Sequence, residues 1–165
     1  DTLSDTFTFH PAPSSAESPS NGFRFFQRED AIIRAWRHNV RALAVDLWNT
    51  GHLSGARARY LASVVGQEAA KKDVPPALVL GIMKVENDVF KSRACSGAGA
   101  CGLMQIMPFW TKYFGRQCGY DLADDRTNIC IGVHVINEYL TKFDGDLNKA
   151  LLGYNGCVRG TNTPN

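Results

Sequence analysis

The chain has 165 residues, 44% hydrophobic and 21% charged, with a formal net charge of +2. That length supports one packed domain and is short for two, and the composition is ordinary for a globular protein. The charge is too small to argue for nucleic acid, and no apolar run approaches the ~20 residues of a membrane span. The first residues, "DTLSDTFTFH", lack the basic and apolar regions of a signal peptide, so any export signal is expected to have been removed or left out.

Residues 11–22, "PAPSSAESPSNG", offer little that could pack, and residues 1–25 read as a flexible tail or linker. Residues 26–72 read as helices that pack on the main domain, and residues 73–165 as that domain. In the first helix Ile32, Ile33, Trp36, Val40, Leu43 and Leu47 share a stripe, with Arg34, Arg37, His38 and Arg41 largely outside it as a solvated face. Glu29 and Asp30 fall in its first turn, where acids suit the helix dipole. A second helix is predicted over Gly55–Lys72, and Pro75 and Pro76 open a third.

At about 100° per residue, Leu78, Val79, Ile82, Met83, Val85, Val89 and Phe90 fall on one face of that third helix. Glu86 sits near the middle of the face, while Lys84, Asn87 and Asp88 point elsewhere. A carboxylate on an apolar stripe is either satisfied inside a network or chemically active, and the helix alone leaves both open. Beyond it come the loop "KSRACSGAGACG", a short helical piece near "MPFWTKYF", and an amphipathic helix over Asn128–Phe143 with Glu138 on its polar face. Asp125 reads as a helix cap, and Asp146 as the N-cap of a last helix through Tyr154. Asp144 and Asp146 resemble part of a calcium loop, but no Glu follows at the required spacing. Strand patterns are nearly absent, so the domain is mainly α.

Cys95 and Cys101 bracket one short loop and Cys118 and Cys130 another, which suggests two disulfides and an oxidising compartment. Cys157 is left over. The rival reading is a zinc site from Cys118, Cys130 and His134, which no C-x-x-C pair supports.

Four segments occur in order: "VENDVF", "SGAGACGLMQIMP", "DDRTNICIG" and "ALLGYNG". Together they resemble the soluble lytic transglycosylase family, also goose-lysozyme-like, over roughly residues 76–157. The resemblance implies a lysozyme-like helical fold, here with an extended N-terminal tail and one or two preceding helices. It implies cleavage of peptidoglycan glycan strands, with Glu86 as acid and then base, and Ser96, Gly102, Gln105, Met107 and Tyr154 lining the sugar cleft. The chain departs from the family in having Asn87 after the glutamate, where Ser, Ala or an aliphatic residue is common. It also reads "GYNGC", with Gly153 and Cys157, where the family reads Ala-Tyr-Asn-Ala-Gly.

Each residue also has a plainer role. Met104, Ile106 and Met107 fit a core, and Tyr154 could be a core ring with a satisfied hydroxyl. Gln105 needs partners among apolar neighbours, which sugar amides and hydroxyls would supply. Glycines 97, 99 and 102 allow a tight backbone path past a ligand. Most glycosidases use two carboxylates, but Asp88 lies about 160° round the helix from Glu86, and Asp121, Asp124 and Asp125 have no assigned place. A single carboxylate fits a lyase mechanism, in which the muramic acid C6 hydroxyl attacks C1 and leaves a 1,6-anhydro end. The expectation is therefore a periplasmic or cell-envelope lytic transglycosylase, monomeric, acting on glycan strands without cofactor or metal. The alternatives are a hydrolytic muramidase of the goose-lysozyme kind and a non-catalytic glycan-binding or secretion-apparatus scaffold.

Overall fold

The computed structural model describes the backbone of residues 21–156 and side chains from Arg34 onward; the expected tail up to residue 20 and Cys157 lie outside the described residues. The chain divides into two units, Asp1–Ala35 and Trp36–Asn165. Of the first, the described part is helical backbone from Asn21, so residues 21–25 are helix where the sequence suggests tail.

The elements in order are α1 (Asn21–Trp48), α2 (Gly55–Ala70), α3 (Pro76–Glu86), α4 (Thr111–Cys118), α5 (Asp125–Lys142) and α6 (Leu147–Tyr154), with a 3-10 turn at Pro108–Trp110 ahead of α4. Among the described residues, extended pairing is limited to two single bridges, Cys95 with Cys101 and Cys101 with Ile106. The domain is mainly α, as its pattern predicts. No described helix is long and apolar enough to cross a membrane.

Side-chain caps fix three helix starts. Ser54 accepts from the Arg57 amide, Asp124 from Thr127 and Asp146 from Lys149, each satisfying an otherwise orphaned N–H. Helix α5 therefore begins at Asp125, three residues before the predicted Asn128, and its cap is Asp124 rather than Asp125. Asp125 instead forks with Arg57 of α2. Arg57 Nη1 bonds one carboxylate oxygen, Nη2 the other at 2.9 Å, and Nη2 also reaches Ser92 Oγ at 2.8 Å. Burial pushes the Asp125 carboxyl up, but the Arg57 and Ser92 bonds outweigh it and hold its pKa below the ordinary range.

Helix α5 is the centre of the unit and packs on α2, α3, α4 and α6. Its residues from Thr127 to Ile136 are buried all round, while Glu138 is exposed as expected. A Cβ at Gly132 would lie 2.3 Å from Met104 Sδ, so the glycine lets that fully buried side chain seat against the helix. A second tie between α2 and α5 runs through Glu68, only 2% exposed, which accepts from Arg126 at 2.8 Å and from Lys71 at 2.6 Å.

Candidate active site

Helix α3 ends at Glu86 because Asn87 leaves helical geometry, at φ −153° and ψ 77°. The predicted stripe therefore breaks there. Val79, Ile82 and Met83 are buried as expected, but Val85 is 83% exposed and Asn87 is buried. Phe90 is buried from a turn of its own, at φ 55°.

The exposed Val85 belongs to a groove of about 740 Å³ between α3 and α6. Leu78, Gly81, Ile82, Val85 and Glu86 form one wall; Asn148, Leu151, Leu152, Tyr154 and Asn155 form the other. The walls are largely apolar, and Glu86 is the carboxylate among the lining residues. Burial raises its pKa above the ordinary glutamate value. Among the described residues no Lys or Arg is ion-paired with it. Such a carboxyl releases its proton less readily than a free glutamate.

Tyr154 shows the plainer of its two readings, a ring with a satisfied hydroxyl, and shares the groove with Glu86. It is partly buried and lines the groove with Glu86, and its hydroxyl donates to the Met104 carbonyl at 2.9 Å. Burial first, and the charge of Glu86 second, push the phenol well above its ordinary pKa, so it stays a neutral donor. Gly153 departs from the family's alanine for a visible reason: a Cβ there would meet the Tyr139 ring at 2.6 Å.

The other sequence-predicted residues lie on the loop from 94 to 107. Gln105 sits in left-handed backbone, φ 46°, and its Nε2 donates to the carbonyls of Ala94 (3.1 Å) and Gly102 (2.9 Å). Its amide partners are thus backbone groups. Ser96 is exposed within the Cys95–Cys101 loop, where its Oγ accepts from the Ala100 amide at 3.2 Å. Met107 is 36% exposed, whereas Met104 and Ile106 are core. Gly102 is buried, and a Cβ there would lie 2.1 Å from Asn128 Nδ2 and 2.6 Å from the Leu122 carbonyl oxygen. The close approach that it permits is therefore by the protein's own α5. Of the expected set, one groove collects Glu86 and Tyr154; Ser96, Gln105 and Met107 are not among its lining residues.

Sequence reasoning gave no role to Asn128, which anchors this loop. It is 1% exposed, accepts from the Met104 amide at 2.8 Å, and donates to the carbonyls of Cys101 (2.9 Å) and Leu122 (3.0 Å). An amide predicted at a helix start carries no sign of partners some twenty residues upstream.

Two disulfides close the neighbouring loops, Cys95–Cys101 and Cys118–Cys130. The donor atoms of Cys118, Cys130 and His134 lie within 4.8 Å of one another, but the disulfide takes both sulfurs that the zinc reading requires. The loop aspartates are also engaged. Asp124 caps α5, Asp125 is held by Arg57, and Asp121 accepts from the Ala123 amide beside a separate cavity near Cys95.

Known proteins are similar to this chain. The transglycosylase of Enterobacteria phage PRD1 is 39% identical over 101 residues, covering 61% of this chain and 35% of that protein. The membrane-bound lytic murein transglycosylase C of Actinobacillus pleuropneumoniae serotype 5b (strain L20) is 43% identical over 78 residues, covering 46% of this chain and 20% of its own length. The chain thus spans about a third and a fifth of these two relatives. An inactive mutant of the lytic transglycosylase Slt from Pseudomonas aeruginosa matches 82% of this chain and 27% of its own, with a TM-score of 0.52 and 24% identity. That likeness shows the fold. The family profile of the transglycosylase SLT domain matches residues 63–163, starting inside α2. The chain belongs to the transglycosylase SLT domain family.

Proposed function

We propose that the chain is a peptidoglycan lytic transglycosylase, a lyase that cuts the MurNAc–GlcNAc β-1,4 bond and leaves 1,6-anhydroMurNAc ends. The observation that carries this reading is Glu86, set in an apolar groove beside Tyr154 with its pKa raised by burial. In its protonated form Glu86 gives its proton to the glycosidic oxygen as the C1–O bond breaks, and the GlcNAc side leaves as an alcohol. The substrate's N-acetyl carbonyl stabilises the sugar cation. The C6 hydroxyl oxygen of MurNAc then bonds C1, its proton returns to the Glu86 carboxylate, and no water is consumed. Tyr154 stays a neutral donor beside the acid, and Ser96, Gln105 and Met107 contribute to the glycan-facing surface of the loop. Envelope localisation fits two disulfides in a small domain.

A hydrolytic muramidase would need a second carboxylate to activate water. Asp124 and Asp125 are engaged as cap and ion pair, which favours the lyase. An intramolecular hydroxyl held near the cation also has an effective concentration that can exceed ~10⁵ M, far above liquid water. Mass spectrometry of digested peptidoglycan, before any borohydride reduction, separates the two. Anhydro ends, lighter by one water than hydrolytic ends, are expected; mainly reducing ends would overturn the mechanism, and no cleavage would favour a glycan-binding scaffold.

A further inference from the structure

Asn87 follows the acid directly, and its side chain turns inward, 6% exposed, where α3 stops. Its amide makes three hydrogen bonds to the loop that follows α3. Nδ2 donates to the carbonyls of Lys91 (2.8 Å) and Gly102 (3.1 Å), and Oδ1 accepts from the Lys91 amide (3.1 Å). Both grip points border left-handed backbone at residues other than glycine. Phe90, next to Lys91, has φ 55°. Gln105, at φ 46°, bonds the same Gly102 carbonyl through its backbone N–H (3.3 Å) and its Nε2 (2.9 Å). Such conformations are unfavourable and persist where the surroundings hold them. Asn87 is not among the groove's lining residues, so it acts through its neighbours.

We infer that Asn87 is a positioning residue: one buried amide fixes the end of the acid's helix against the Gln105 turn, so that carboxyl and loop present a single geometry to the glycan. The amide is suited to this because it supplies two donors and an acceptor from one rigid group, which the serine or alanine common at this family position cannot. Since a misplacement of ~1 Å can cost about 100-fold in rate, loosening this clasp is expected to lower turnover more than binding. The inference rests on the reading of Glu86 as the acid.

The test uses Asn87→Ala, which removes all three bonds, and Asn87→Ser, which keeps one hydroxyl. The measurements are kcat and KM on a soluble peptidoglycan fragment, at a temperature where circular dichroism finds the variants folded, and a carbon-13 NMR titration of the Glu86 carboxyl. The alanine variant should lose about 10- to 100-fold in kcat, with KM within about threefold of wild type, and the serine variant less. The Glu86 titration midpoint should move from its wild-type position in both. Turnover by folded Asn87→Ala within about twofold of wild type, or a loss that only tracks its unfolded fraction with the midpoint unmoved, overturns the inference. If the alanine variant does not fold, the serine variant carries the same comparison. A wild-type protein that leaves the fragment uncut overturns the reading of Glu86 as acid; the titration needs no turnover and still decides the role of Asn87.

Discussion

Glu86 carries a raised pKa for one physical reason, burial, and this gives it two consequences of the same sign. In the proposed role of acid it must be protonated, so activity should fall as pH rises through its folded-state pKa, above the ordinary glutamate value. For stability, the folded state binds the proton more tightly than the unfolded chain. The contribution is therefore full below the unfolded pKa and lost as pH rises through the folded one. Glu86→Gln should abolish turnover, a loss of ~10²–10⁴-fold or more, while keeping fold and glycan binding. It should also flatten the decline of stability with pH across that window. Turnover of purified peptidoglycan together with urea melts at several pH values checks both parts. Near-normal cleavage by the glutamine variant would sink the assignment of the acid.

Among the elements, the helices were legible from periodicity and caps, and most of their boundaries came within a few residues. What the pattern missed was set by tertiary contacts. The α3 stripe runs on in sequence past Glu86, but Asn87 leaves the helix with two bonds to Lys91, four residues on, and one to Gly102, 15 residues on; Val85 faces outward and Asn87 inward. Asp125 has the look of a cap, yet Arg57, 68 residues away, draws it into an ion pair and leaves the capping to Asp124. Glu86 stands out in the sequence as a carboxylate on an apolar stripe, whereas Tyr154 is singled out by the order of the motifs and not by its own setting. Asn128 was not legible, because a helix-start asparagine has an ordinary explanation. The Arg57 fork joins α2, α5 and the Ser92 loop, so Arg57→Ala leaves a mostly buried carboxylate without its main partner. About 2 kcal/mol of stability should be lost, read as a lower denaturation midpoint with unchanged m-value. A loss within experimental error would mean that the pair is solvated and adds little.

At the scale of the whole domain, covalent and polar ties gather around one loop. Cys95–Cys101 and Cys118–Cys130 close short rings, and chain-entropy arithmetic assigns each about 2–3 kcal/mol against the unfolded state. Non-reducing peptide mapping should recover both pairs, and reduction should lower the melting temperature; five free thiols would contradict the pairing. The polar ties have a different character. Asn87, Gln105, Asn128 and Tyr154 all bond backbone atoms of the loop, at Lys91, Ala94, Cys101, Gly102 and Met104, rather than its side chains. Bonds of this kind, to main chain, do not depend on the side chains of the residues they hold. Gly97, where an added Cβ would meet nothing within 4 Å, and the exposed Ala98 are therefore open to drift under selection. Substitutions at these two positions of the Cys95–Cys101 loop are expected to leave the bonds beneath it unaltered.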